Sequence, residues 1–264
     1  ELSERCGVPV MLRITTRLAH SRSGVERQPV LPQNPMRFSD DPRQFVLLPV
    51  NARRQYQKLL AAQQEFEHLS ENSGFNTWLS GRDRSKGIVA AGIAYNYLME
   101  NYPHGCPYPV LKIGQYPLPL QALSRMATEC DEIVVIEEGY PLIEDQLRGL
   151  PGFGLTVRGR KDGFLPRAGE LNPDIVGQAF GFETKEGPAV PDVVRNRPPS
   201  LCVGCGHRDL YEALNEAVAE KGEESKVFSD IGCYTLGYLP PFRAIHTCVD
   251  MGASITMAKG ASDA

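Results

Sequence analysis

A chain of 264 residues, 42% hydrophobic and 23% charged, has the composition of an ordinary globular protein of one or two domains with a sizeable core. Its 28 Lys and Arg against 32 Asp and Glu give a net charge of −4, which removes any global electrostatic case for nucleic acid or an anionic membrane as partner. No run approaches the ~20 apolar residues that span a bilayer, no signal-peptide pattern opens the chain, and an odd number of scattered cysteines suits reduced thiols in the cytoplasm.

The chain opens without a methionine, in what reads as mid-helix (Glu1 to Cys6), and ends on Gly260 to Ala264 short of a complete α/β unit, so a piece of a longer protein is expected. Pro9 to Thr16 is apolar and β-branched enough for a strand that needs partners from elsewhere. His20, beside Ser21 and Arg22, is read as a surface hydrogen-bonding residue. From Gln28 to Pro49, five prolines among polar residues make an extended connector. A helix with Asn51 as N-cap follows, its stripe of Tyr56, Leu59, Leu60, Phe66 and Leu69 suited to packing against a neighbour, and Asn72-Ser73-Gly74 ends it.

Three buried-strand candidates come next, Ile88 to Ala91, Val110 to Ile113 and Ile133 to Glu137, with starts 22 and then 23 residues apart. Helical segments Ile93 to Asn101 and Leu120 to Cys130 lie between them, and Leu142 to Leu150 follows. This spacing predicts an α/β fold with right-handed crossovers and a parallel sheet. Glu137 and Glu138 are adjacent on a strand and so point to opposite faces, which argues against a shared acid–base site. One is expected in solvent, the other bonded to the loop at Gly139-Tyr140-Pro141. Between Pro151 and Ser200, fifteen residues are Gly or Pro, the mark of a linker holding one short helix with Asn172 as N-cap and Pro173 at its first position. Arg158, Arg160 and Lys161, set among glycines there, are read as a solvated loop.

The stretch from Arg197 to Gly237 carries the chemistry. Cys202 and Cys205 form a C-x-x-C followed at once by Gly206 and His207. Leu210, Tyr211, Leu214, Ala217 and Val218 then share one face of a helix that stops near Gly222. Lys226 to Phe228 reads as a buried strand ending in Ser229-Asp230-Ile231-Gly232-Cys233, and a loop beyond a strand's carboxyl end is where an open α/β sheet places a ligand. Small residues there, like a helix N-terminus, let backbone N–H groups approach a phosphate.

Four roles compete for Cys202, Cys205, Cys233 and Cys248. A structural zinc site wants two close pairs, and Cys233 and Cys248 are single. An iron–sulfur cluster wants four closely patterned thiolates. A thioredoxin-like dithiol wants a strand before the motif, where this chain has Pro198 and Pro199. The fourth role is a cofactor pocket shaped by small, soft side chains.

The combination of Cys202, Gly204, Cys205, Gly206 and His207 with Ile231, Gly232 and Cys233 resembles the thiamine-diphosphate domain of the 2-oxoacid:ferredoxin oxidoreductases, in their indolepyruvate branch. The strings Ser229 to Pro241 and Met251 to Gly260 carry the likeness furthest, and Met251 stands where many relatives have histidine. The resemblance implies cofactor contacts at Cys202, Gly206, His207, Ile231, Gly232 and Cys233, with Cys233 near the reactive thiazolium. It implies no catalytic residue or metal ligand within the chain, because the magnesium-binding motif and the [4Fe-4S] ligands of such subunits lie outside the matching stretch.

By the same resemblance, residues 1–27 end a pyrimidine-binding domain, 28–80 are connector and helix, and 81–150 are a transketolase C-terminal-like α/β domain. Residues 151–200 are a linker, and 201–264 are the first half of a thiamine-diphosphate domain. The implied reaction is oxidative decarboxylation of an arylpyruvate, chiefly indolepyruvate, to the acyl-CoA. Coenzyme A, ferredoxin and a second, smaller (beta) subunit are the implied partners, in an oligomer. A non-catalytic α/β interaction module and a zinc or dithiol protein are the alternatives.

Overall fold

The structure, a computed structural model, describes residues 2–30, 32, 40–149, 154–184, 187–195, 198–222 and 224–263. From the N-terminus come α1 (Leu2–Cys6), α2 (Thr16–His20), α3 (Pro49–Ala61) and α4 (Gln63–Asn72). They lead to β1 (Thr77–Leu79), β2 (Gly87–Ala91), α5 (Ile93–Asn101), β3 (Val110–Ile113), α6 (Leu120–Glu129), β4 (Glu132–Ile136), α7 (Leu142–Gly149), β5 (Thr156–Arg158) and α8 (Pro173–Ala179). The five strands form one sheet in the order β1-β3-β2-β4-β5. β2 pairs in parallel with β3 and β4, β4 in parallel with β5, and only β1 is antiparallel. The expected α/β fold with a parallel sheet is the one found.

Alternation along the central strands buries both faces, as a parallel sheet requires. Val89, Leu111, Ile113, Ile133 and Val135 meet Leu123 and Met126 of α6 and Ile143 and Leu147 of α7 on one face. Ile88, Ala90, Val110, Val134 and Ile136 meet Ala94, Tyr97 and Leu98 of α5 and Val176 of α8 on the other. Each of the larger aliphatic side chains contributes about 1.5–3 kcal/mol by leaving water. Gly177 in α8 lets that helix close on α5, because a Cβ there would collide with the Asn101 side chain.

Several expectations are corrected. Pro9 to Thr16 forms no strand: residues 9–15 lack regular structure and Val10, Met11, Leu12 and Ile14 are exposed, since β-propensity alone cannot make a strand without a pairing neighbour. Asn51 is not an N-cap. Leu48 precedes the helix, Pro49 opens it with its fixed φ, and Asn51 turns its amide back to the Val46 carbonyl. The single helix expected from Asn51 to Asn72 is two, meeting at Ala62. The Gly- and Pro-rich stretch is not all linker, because it supplies β5, α8 and the fully buried Leu165, Leu171 and Val176. α8 itself starts as expected, with Asn172 Oδ1 accepting from the Ile175 N–H at 2.8 Å.

Neither adjacent carboxylate behaves as expected. Glu137 is 2% exposed and accepts from the N–H groups of Ile143 and Glu144, both at 3.0 Å. Glu138 accepts from the Leu171 N–H at 2.9 Å and pairs with Arg160. Arg160 is buried too, its guanidinium donating to the carbonyls of Glu137, Pro166 and Gly169.

The chain divides into two compact units, 1–186 and 187–264. The second contains α9 (Gly206–Lys221), β6 (Phe228–Ser229), a 3-10 helix (Cys233–Tyr238), β7 (Thr247–Cys248) and α10 (Ser254–Asp263). Its small core is Leu201, Tyr211, Phe242, Ala244 and Ile245. β6 starts two residues later and ends one residue later than the expected Lys226 to Phe228, and it pairs in parallel with β7. No helix among the described residues is long and apolar enough to cross a membrane.

Candidate functional site

In the second unit the turn Cys202 to Cys205 closes with a 3.2 Å hydrogen bond from the Cys205 N–H to the Cys202 carbonyl. Gly204, at φ 75°, makes this turn possible. Cys205 is the N-cap of α9, and its Sγ lies 3.2 Å from Nδ1 of His207. The first N–H groups of α9 have no partner within the helix and carry the positive end of its dipole.

The second loop leaves β6 at Ser229. Asp230 Oδ1 accepts from the N–H of Ser254, the first residue of α10, at 2.7 Å. The main-chain hydrogen bond from Ser254 holds the Asp230 carboxyl below its ordinary range, and the Gly252 main chain adds to this. The Ile231 N–H donates to the Asp250 carbonyl at 3.2 Å. Thr235 Oγ1 donates to the Asp230 carbonyl and accepts from the Gly232 N–H, both at 3.0 Å, while Cys248 Sγ donates to the same carbonyl at 3.2 Å. Gly232 admits the Tyr234 ring, which a Cβ would meet at 2.6 Å.

Tyr234 joins the two loops. Its ring stands edge-on to that of His207 at 5.8 Å between centroids, its hydroxyl donates to the Ile231 carbonyl at 3.0 Å, and its carbonyl accepts from the buried Tyr211 at 2.6 Å. Burial pushes the Tyr211 hydroxyl pKa up, which keeps it protonated as the donor this bond needs. The structure therefore brings the start of α9 and the Ile231 to Cys233 loop together. His207 is half-buried, whereas Cys202, Gly206, Ile231, Gly232 and Cys233 are exposed. Sequence reasoning missed Tyr234, whose one signal was an aromatic directly after Cys233.

Among the described residues no group of three or more His, Cys, Asp or Glu side chains could hold a metal ion. Asp230, the carboxylate nearest the motif in sequence, is already bonded to α10. The donor set thus fits thiamine diphosphate in part. Free N–H groups at the start of α9 suit an anion, and the exposed Ile231, Gly232 and Cys233 suit an apolar ring. A magnesium site is not formed by these residues.

No family model matches the chain. Over 283 residues it is 38% identical to indolepyruvate oxidoreductase subunit IorA of Methanothermobacter thermautotrophicus, covering 100% of this chain and 45% of that subunit. It is 34% identical over 279 residues to IorA of Methanothermobacter marburgensis, with the same coverage, and 32% over 287 residues to IorA of Pyrococcus abyssi, covering 99% of this chain and 43% of the relative. Among solved structures, a 2-oxoglutarate:ferredoxin oxidoreductase from Magnetococcus marinus with 2-oxoglutarate, coenzyme A and succinyl-CoA bound is 12% identical, covering 43% of this chain and 21% of its own, with a TM-score of 0.32. A likeness of that size carries no argument. The resemblance carried by the motifs is thus a relationship along the whole chain, which is similar throughout to a part of the IorA subunit of indolepyruvate oxidoreductases and spans under half the length of those relatives.

Proposed function

We propose that the chain is part of a thiamine-diphosphate-dependent oxidoreductase that oxidatively decarboxylates arylpyruvates, indolepyruvate foremost, to the acyl-CoA. Ferredoxin takes the electrons, and a smaller second subunit completes the oligomer. The magnesium and [4Fe-4S] ligands of that assembly lie outside this chain. The observation that carries the reading is the meeting of the two motif loops through Tyr234, His207 and Tyr211. The names of the relatives support the reaction class.

Thiamine diphosphate supplies, when bound, the nucleophilic carbon for addition to a 2-oxo group. The chain's own contribution is to position and to exclude water. The N-terminus of α9, with Gly206 and His207, offers N–H donors to the diphosphate, and Cys202 lies in the same turn. Ile231, Gly232 and Cys233 present a small, soft surface to the thiazole ring. The small, apolar side chain of Cys233 would fill space beside the ring and exclude water from it. In this reading 1–27 close a pyrimidine-binding domain, 81–150 lie in a transketolase C-terminal-like domain, and 201–264 begin the thiamine domain.

The test is turnover of a subunit carrying this segment, assembled with its smaller partner, on indolepyruvate. Cys233→Ala lowers thiamine-dependent turnover about tenfold or more, and Cys106→Ala, in the other unit, leaves it within about twofold. Equal losses would mean that the cysteines act through folding. Turnover without thiamine diphosphate would overturn the cofactor assignment, and no turnover in an intact assembly would leave a non-catalytic module as the better reading.

A further inference from the structure

The carboxyl edge of the sheet holds a second concentration of polar chemistry, independent of the motif loops. β2, β3, β4 and β5 are parallel, so all four end there. The order β1-β3-β2-β4-β5 reverses at β2, since the chain steps from β2 to β3 on one side and then crosses to β4 on the other. In open α/β sheets, ligands bind outside the strand ends where the order reverses. On the same edge, displaced from that reversal toward the ends of β4 and β5, is a crevice of about 420 Å³ lined by Gly139, Tyr140, Arg160, Arg167, Ala168 and Gly169.

Four arginines from two distant segments converge on this edge. Arg160 is fixed by three carbonyls and by Glu138, so it forms wall and does not bind. Arg17 is neutralised by Glu170 at 3.0 Å and lies over the Tyr97 ring. Arg13 donates to the Glu138 carbonyl at 3.0 Å and sits against Gly139, whose Cβ, if present, would lie 3.2 Å from the guanidinium. Arg167 lies over the ring of Tyr140, 5.8 Å from its centroid. Among the described residues neither Arg13 nor Arg167 forms an ion pair with a carboxylate. Glu137 turns inward to the start of α7, and Asp145 is taken by Lys161. Arg167 thus lines the crevice and Arg13 stands beside it at Gly139, while the Asp145 carboxyl is held below its ordinary range by its bond to Lys161 and, in smaller part, by the charge of Arg167.

We propose that this crevice is a binding site for the oxyanion of a small molecule, a phosphate or a carboxylate, held by the fork of Arg167 with Arg13 at its rim. Planar guanidinium groups recognise both anions with paired hydrogen bonds. Gly139 and Gly169, at φ 72° and 86°, let the main chain run close to such a ligand without a Cβ in the way. The volume falls in the range of small-molecule pockets of roughly 300–1,000 Å³. The site lies wholly in the first unit, and the inference does not depend on the thiamine reading.

The test is calorimetric titration of the 264-residue chain with inorganic phosphate and, separately, with succinate, at constant ionic strength set by chloride. Saturable binding of at least one is expected, and which one identifies the anion. Arg167→Ala weakens it about tenfold, Arg167→Glu abolishes it, Arg13→Ala weakens it a few-fold, and Lys259→Ala, at an exposed cation in the second unit, leaves it unchanged. Arg167 is exposed, so its variants keep the fold. No saturable binding of either anion, or binding that survives Arg167→Glu, would overturn the proposal, the latter by placing the anion elsewhere on the chain.

Discussion

Arg160 shows why residue type and neighbours in sequence are poor guides to burial. Set between Gly159 and Lys161 it has the look of a solvated loop, yet its acceptors come from the end of β4 and from Pro166 and Gly169, so only the folded chain assembles them. Its neighbours do reach outward, Arg158 to Asp162 at 3.0 Å and Lys161 to Asp145. Arg160→Ala would leave the Glu138 carboxylate without its counter-charge, though still bonded to the Leu171 N–H, and three carbonyls without this donor, and we expect a loss of about 3–5 kcal/mol in urea unfolding. Arg160→Lys should recover little, because one ammonium cannot span the same acceptors. Glu137 makes a pH prediction. Burial raises its carboxyl pKa above the ordinary 4.5, and the N–H groups at the start of α7 offset only part of this. A folded-state pKa above the unfolded value gives stability that is whole below the unfolded pKa and is lost as pH rises through the folded one. Glu137→Gln lacks that titration. The stability of the native chain relative to the Gln variant should therefore fall as pH rises from about 4.5 toward neutrality, measured as Tm against pH. A constant difference would mean that Glu137 titrates normally.

Elements with a full period were legible and short ones were not. β2, β3 and β4 carry four or five residues each between helices, and α9 runs from Gly206 to Lys221 with Gly222 at φ 66° closing it, as the sequence pattern indicates. β1 and β5 have three residues each and β6 and β7 two, too few for alternation to show; their pairing depends on neighbours distant in sequence. The apolar face of α9 was legible as a pattern but not in its fate: Tyr211 is buried, while Leu210 is 57% exposed. The candidate site was half legible. Its two loops were found from their cysteines and glycines, but the bridge through Tyr234 depends on tertiary contact. α10 depends on such a contact as well. Asp230 holds the N–H of Ser254, the strongest hydrogen bond on its carboxyl, and this keeps its pKa below 3.8. A depressed folded pKa means that the stabilisation is present above the unfolded value and is lost as pH falls through the folded one. Asp230→Ala should speed amide exchange at Ser254 to Met257 at neutral pH while leaving α9 unchanged. The native chain should show the same loosening only in acid. Exchange unaffected by the substitution would mean that α10 starts without this cap.

The whole molecule turns on where the sheet ends and the second unit begins. Composition suggests a linker across 151–200, but Val157, Leu165, Leu171 and Val176 are buried in the first unit, and Phe180 packs edge-on to Phe164 at 5.5 Å and to Tyr102 at 6.3 Å. Glycine and proline there shape turns around a packed segment. Only beyond it does the character change: residues 187–195 are exposed, have neither helix nor strand, and present Val190, Val193 and Val194 to solvent at 73%, 84% and 61%. Proteases need extended, accessible chain, and they cut where the main chain has few partners to lose. The segment 21–30 satisfies the same conditions, with Val25 and Val30 at 82% and 94% exposure. Limited digestion with thermolysin, which cleaves before apolar residues, should therefore cut first within 187–195 and 21–30. Residues 77–182 should persist as one fragment, read by intact mass. Early cleavage between 156 and 180 would show that β5 and α8 detach readily and that the compositional reading of this stretch describes the chain in solution better than its packed structure does.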